Sequence, residues 1–193
     1  MNHLDEVLEH TLRTGDSMYE KDSEINELPR YFTIQLGRMW DEMQNRLTKK
    51  FDKVSHPLQL DLYGHCSDEM KLKLQAAREL FNPIFVCLME LVSFQVAESG
   101  ALGSSYMDID QFDSTVPKKQ LTGIYNLVAV VTHKGPTANL GHYVAWVKQA
   151  NETWIQFSDD MTSTHEDSEI LELSGGADDQ HVAYIYLYKA QLI

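Results

Sequence analysis

The C-terminal third of the chain most constrains the fold. Ile124 to Thr132 (IYNLVAVVT), Gly141 to Lys148 (GHYVAWVK), Thr153 to Phe157 (TWIQF) and His181 to Tyr188 (HVAYIYLY) are apolar, β-branched and aromatic runs. Such runs predict strands. In the last of them Val182, Tyr184, Tyr186 and Tyr188 alternate with Ala183, Ile185 and Leu187, so both faces are apolar enough to be covered. His133 to Leu140 (HKGPTANL) reads as a turn-rich loop, and Gln149-Ala150-Asn151-Glu152 is short enough for a hairpin. Gly175-Gly176 reads as a turn before the last strand, because no Gly-Lys-Ser/Thr accompanies it. The expectation is a twisted antiparallel sheet with buried faces.

Within this sheet His142 is the candidate for chemistry. It begins a strand directly after Gly141, whose missing side chain lets backbone or ligand approach. The hairpin returns the chain beside it. If the loop centres between Ala150 and Asn151, His142 faces Asp159; if it centres on Ala150, His142 faces Ser158. Directly opposed side chains lie about 5 Å apart at Cβ. A one-residue slip exchanges the two partners. In either register a polar group can hold one ring nitrogen and set the tautomer, which is how a catalytic base is oriented. On spacing alone, a His beside an Asp on a hairpin is more often a structural hydrogen bond than a catalytic pair.

Upstream, Leu4, Val7, Leu8 and Leu12 lie at helical spacing. Tyr31 to Leu36 reads as a strand and His56 to Leu62 as a short extended segment. Asp41 to Lys53 is charged and expected to be exposed. Ser67 is placed to cap a helix reaching about Leu80, with Asp68 and Glu69 where the helix dipole prefers acids. Residues 81–95 fit helix or strand, and residues 97–123 read as a loop. The expected class is α+β.

Charge narrows the partners. The chain has 193 residues, 29 acidic against 16 basic, for a net charge of -13. A chain this acidic repels phosphate backbones, so no nucleic-acid partner is expected. A basic protein or peptide tail suits its field, although charge alone fits a purely solubilising role as well. Cys66 and Cys87 form no CxxC pair, and a reducing compartment fits. The N-terminus lacks a signal-peptide pattern. The longest apolar stretch, Pro83 to Phe94, is broken by Glu90 and too short to span a bilayer. A cytoplasmic or nuclear protein with no membrane partner is expected. The histidines lack ligand spacing, so no metal or other cofactor is expected.

Several separate strings, in order, resemble a known family. They are Tyr125 to Val130, His133-Lys134-Gly135, Gly141 to Lys148, Trp154 to Phe157, Asp159-Asp160, Leu173 to Gly176 and His181 to Tyr184. Together they resemble the His box of the ubiquitin-specific proteases. Leu28 to Leu36 with Arg38, and Pro57 to Tyr63, look like the proteasome-associated subgroup of that family.

The resemblance implies a thiol-dependent hydrolase of ubiquitin conjugates with a papain-like α+β fold, and ubiquitin as partner. In such enzymes a cysteine thiolate attacks, a histidine activates it, and an Asp or Asn orients the histidine. His142 matches the histidine. Ser158 stands at the usual orienting position, and Asp159 matches the second acid. Asp159 is therefore expected to take the orienting role, since a hydroxyl carries no charge to stabilise imidazolium.

The family's Gly-x-x-Asn-x-Gly-Asn-Thr-Cys box is absent. Cys66 and Cys87 lack its context and read as buried or incidental thiols. The two zinc-binding CxxC pairs of many members are absent too. Residues 1–193 are thus expected to be a partial catalytic domain whose helical front half is missing. Residues 28–80 are its first matching part, 81–122 an insertion or loop, and 123–193 the His-box sheet. Such a chain is expected to be inactive alone. The alternative is a non-catalytic ubiquitin-binding or regulatory remnant.

Overall fold

The computed structural model describes residues 3–14, 23–41, 46–80, 120–176 and 181–193. The expected loop or insertion over 81–122 lies outside them as far as Lys119, as does Cys87. The strands are β1 (Tyr31–Gln35), β2 (Trp40–Asp41), β3 (Arg46–Leu47), β4 (Gln59–Asp61), β5 (Leu121–Thr137), β6 (Leu140–Lys148), β7 (Trp154–Ser158), β8 (Met161–His165) and β9 (Val182–Leu192). The helices are α1 (Leu4–Thr14), α2 (Asp68–Leu80) and α3 (Asp167–Leu171), the last continued by a 3₁₀ turn over Glu172–Ser174. Ser67 does cap α2, its Oγ accepting the Met70 N–H at 3.4 Å.

A seven-stranded sheet runs in the order β1–β9–β5–β6–β7–β8, with β4 also paired to β5. All its pairings are antiparallel. The 17-residue β5 is the spine: β9 follows one of its edges, while β4 and then β6 share the other. Both β5 and β9 run beyond the limits that apolarity alone suggests. His133 to Thr137 is strand, not loop, because β6 continues to pair with it through Lys134↔His142 and Thr137↔Leu140. The bulge between these pairs takes up Gly135-Pro136, and Pro136, which has no N–H, is tolerated there. Leu121 to Gly123, read as loop, also belongs to β5.

One sheet face carries the core. Ile34, Tyr125, Leu127, Val130, Val144, Trp146, Trp154, Tyr186 and Tyr188 are buried there beneath Leu4 of α1, Leu74 of α2 and Ile170 of α3. The hydroxyls of two core tyrosines are satisfied by carbonyls: Tyr188 donates to Pro57 at 2.7 Å and Tyr125 to Pro29 at 2.5 Å. The opposite face is not buried as expected. Tyr31, Tyr143 and Phe157 are exposed on it, and Val131, Ala145, Val147 and Ile155 are half-buried.

The charged stretch Asp41 to Lys53 is also less exposed than expected. Lys49 is buried and donates from Nζ to the carbonyls of His133 (3.1 Å) and Gly135 (2.5 Å). Arg38, likewise buried, donates to the carbonyls of Lys50, Asp52 and Ser174. These carbonyls, distant in sequence, give the two buried cations the partners that burial demands.

His56 packs on the Tyr186 ring, 4.6 Å between centroids, and burial pushes its pKa down to about 4. Its folded pKa lies below the unfolded value, so the unfolded chain binds the extra proton. Stability from this site is complete above about pH 6.5 and is lost as pH falls toward 4. The loss should reach about 3 kcal/mol. Urea melts of wild type and His56→Leu at pH 7 and pH 4.5 check this. The wild type should lose the larger share of its stability, and equal losses would refute the role of His56.

Candidate active site

Strand β6 delivers His142 to the rim of the sheet. The β6–β7 ladder pairs Ala145↔Phe157, Trp146↔Gln156, Val147↔Ile155 and Lys148↔Trp154, so its loop centres on Asn151. This lies half a residue beyond the nearer of the two centres considered from sequence, and it overturns both. Continuing the register places Ser158 opposite Val144. His142, two residues before Val144, is then a diagonal neighbour of Ser158 on the same face.

The contacts follow from that placement. His142 Nε2 lies 3.0 Å from Ser158 Oγ. Asp159, by strand parity, belongs to the other face, but it occupies the turn into β8 with φ 51°. That left-handed conformation, which Asp tolerates, brings its carboxylate to 3.7 Å from the same Nε2. Both sequence candidates therefore meet at one ring nitrogen, Ser158 the nearer. In the tautomer with its proton on Nε2, that N–H donates to Ser158 and the Nδ1 lone pair is left to act as base; among the described residues Nδ1 has no hydrogen-bond partner. His142 is about two-fifths exposed and Asp159 four-fifths, in an open cleft also lined by Lys134, Val144, Gln156 and His181.

Behind the cleft, several groups fix β5 and β6. Thr132 Oγ accepts from Trp146 Nε1 at 3.0 Å and meets His181 Nδ1 at 2.9 Å. Burial, reinforced by Lys134 and His142, pushes the His181 pKa down to about 4, so the ring is neutral near pH 7. His133 is buried against the Tyr143 ring, 4.8 Å between centroids, and burial also lowers its pKa. Lys49 clamps the carbonyls on either side of Lys134, the residue paired with His142. Sequence reasoning missed Lys49, Thr132 and His181. In the sequence, only Thr132, a hydroxyl closing an otherwise apolar strand run, offers a signal for any of them.

Gly141 is required by space. A Cβ there would meet the His133 ring and lie 2.5 Å from the Lys134 carbonyl oxygen. Gly141→Ala must displace a buried imidazole or the start of β6, an overpacking that costs about 1–3 kcal/mol. Thermal melts should show a clear fall in Tm. A Tm equal to wild type would mean that His133 yields freely.

Cys66 is remote from this site. It is buried, donates to the Leu62 carbonyl at 3.2 Å, and burial pushes its thiol pKa up. It follows β4, which pairs with β5 at Ile124, whereas His142 pairs with Lys134. Ten residues of strand span about 30 Å. Among the described residues, no group of three or more His, Cys, Asp or Glu side chains is disposed to hold a metal. Nor is any helix there long and apolar enough to cross a membrane.

A family model described as ubiquitin carboxyl-terminal hydrolase matches residues 5–188. The chain is 40% identical over 217 residues to ubiquitin carboxyl-terminal hydrolase 7 of Arabidopsis thaliana, covering 100% of this chain and 45% of that protein. It is 31% identical over 185 residues to ubiquitin carboxyl-terminal hydrolase 14 of Caenorhabditis elegans, covering 92% and 37%. Among solved structures, the Ubp8–Sgf11–Sgf73–Sus1 SAGA DUB module aligns with a TM-score of 0.59 at 21% identity, over 100% of this chain and 32% of that one. A form of that module bound to monoubiquitin aligns at 0.57 and 20% identity, over 98% and 33%.

The fold is the one shared with those solved structures: an antiparallel sheet with a few helices, presenting a histidine at the sheet rim. The chain belongs to the ubiquitin carboxyl-terminal hydrolase family. It spans less than half the length of the Arabidopsis relative.

Proposed function

We propose that this chain is the base-bearing part of a thiol-dependent deubiquitinase, a partial catalytic domain over residues 1–193 that acts on ubiquitin conjugates. The observation that carries the reading is His142 held through Nε2 by Ser158 and Asp159, with Nδ1 left for a thiol. In the complete enzyme a cysteine outside the described residues gives its proton to Nδ1. The thiolate then attacks the isopeptide carbonyl, and the imidazolium returns the proton to the departing lysine amine. Ser158 and Asp159 hold the ring throughout. The strings at Leu28 to Leu36 and Pro57 to Tyr63 support membership of the proteasome-associated subgroup, with the proteasome as a partner and a cytoplasmic or nuclear location.

A second reading, a ubiquitin-binding module without chemistry, is favoured by one fact: the only described thiol, Cys66, is buried and remote from His142. Joining the chain to a cysteine-box segment of a related enzyme separates the two. The 193-residue chain alone should leave a ubiquitin–fluorophore substrate uncleaved, and the joined protein should turn it over. Ubiquitin binding without turnover in the joined protein would favour the second reading. Turnover by the chain alone, abolished in Cys66→Ala or Cys87→Ala, would overturn the assignment of the thiol.

A further inference from the structure

Strand β8 closes one end of the sheet, and among the described residues nothing pairs with its outer edge. Met161 to Thr164 are exposed. The strand, MTSTH, holds none of the lysines, prolines or bulges by which edge strands are usually blunted. Its two-residue turn makes Ser158–Met161 the first hydrogen-bonded pair of the hairpin. Antiparallel pairs alternate. Gln156–Ser163 is therefore hydrogen-bonded too, and the N–H and C=O groups of Thr162 and Thr164 point outward. Among the described residues these donors and acceptors have no strand partner, and they stand at the spacing of an incoming strand.

Charge selects the occupant. Exposed carboxylates stand at both ends of the edge: Asp159 and Asp160 before it, Glu166, Glu169 and Glu172 after it. The strand also starts directly beside the His142 cleft, which Met161, Thr162 and Ser163 help to line. A chain laid along β8 thus leads to the site of isopeptide cleavage.

We infer that the outer edge of β8 docks an extended, lysine-rich segment of the protein to which ubiquitin is conjugated, by adding a strand to the sheet. Naming the conjugated protein as its source rests on the function proposed above; the docking itself does not. Backbone pairing supplies the fit, and the flanking carboxylates supply steering and salt dependence.

The test uses the full 193-residue chain and a short fluorescent peptide of alternating lysine and valine, followed by anisotropy. Binding should weaken as salt rises. Methylating alternate backbone nitrogens of the peptide, on its pairing edge, should cost about tenfold or more in affinity, since each lost hydrogen bond weakens binding several-fold. Thr162→Pro with Thr164→Pro removes two outward donors and spares the β7–β8 ladder, and should weaken binding similarly. Asp160→Asn with Glu172→Gln should weaken binding and flatten its salt dependence. Equal binding of the methylated peptide would show plain charge attraction and overturn strand addition, even if the proline variant fails to fold. Absence of binding would overturn the whole inference. Because the readout needs neither ubiquitin nor cleavage, the proposed function fails or stands separately.

Discussion

Replacing His142 by alanine, in a protein completed with a cysteine-box segment, should lower the rate of ubiquitin–fluorophore cleavage by about a thousandfold or more. The geometry explains why so much rests on one side chain. Among the described residues, the cleft holds no second base with an unengaged ring nitrogen beside Ser158 and Asp159. His181 shares the cleft but is tied through Nδ1 to Thr132, and its pKa of about 4 makes it a poor proton acceptor near neutrality. His133 is buried under Tyr143. Without the imidazole the thiol keeps its proton and the departing amine has no donor. Ubiquitin affinity should be unchanged, since the ring's task is proton transfer. The comparison is therefore of kcat and of binding, on matched preparations. Retained turnover in His142→Ala would remove His142 from the chemistry, and weakened binding with unchanged kcat would reassign it to substrate recognition.

How much of this was legible in the sequence depends on where the folding information resides. Strands β5, β6, β7 and β9 announce themselves because one face of each is buried and apolar. The cap at Ser67 is local chemistry and is equally plain. Strand β8 is not legible: Met161 to Thr164 are exposed, so no apolar alternation marks them, and only the turn at Asp159-Asp160 and pairing with β7 make a strand. The hairpin register is not legible in the sequence for a specific reason. Glu152 adopts φ 67°, and Gln149 accepts the Glu152 N–H while donating to Thr153. A left-handed residue closing a three-residue loop is usually glycine or asparagine, so nothing at position 152 signalled the shift of centre. Buried Lys49 and Arg38 were hidden because the carbonyls they serve are distant in sequence. His142 itself stood out, and so did both of its partners, but their arrangement needed the turn geometry.

That arrangement bears on the division of labour between Ser158 and Asp159. Ser158 is nearer to Nε2, 3.0 Å against 3.7 Å, but it is neutral. Only the carboxylate stabilises the imidazolium that forms when the cysteine ionises. Its exposure in this chain screens that interaction; a bound substrate excludes water and strengthens it. Asp159→Asn is the informative replacement, because asparagine accepts the left-handed backbone at this turn and removes only the charge. In the completed enzyme it should lower kcat by about tenfold or more, the cost of losing a charged partner. Ser158→Ala should cost less, since Asp159 remains. Ser158→Asp puts a carboxylate where the 3.0 Å contact is now made and should raise kcat above wild type. Melting curves on all three variants separate chemistry from stability. If Ser158→Ala proves the more damaging change at equal stability, the hydroxyl orients the ring and Asp159 serves mainly to turn the chain into β8.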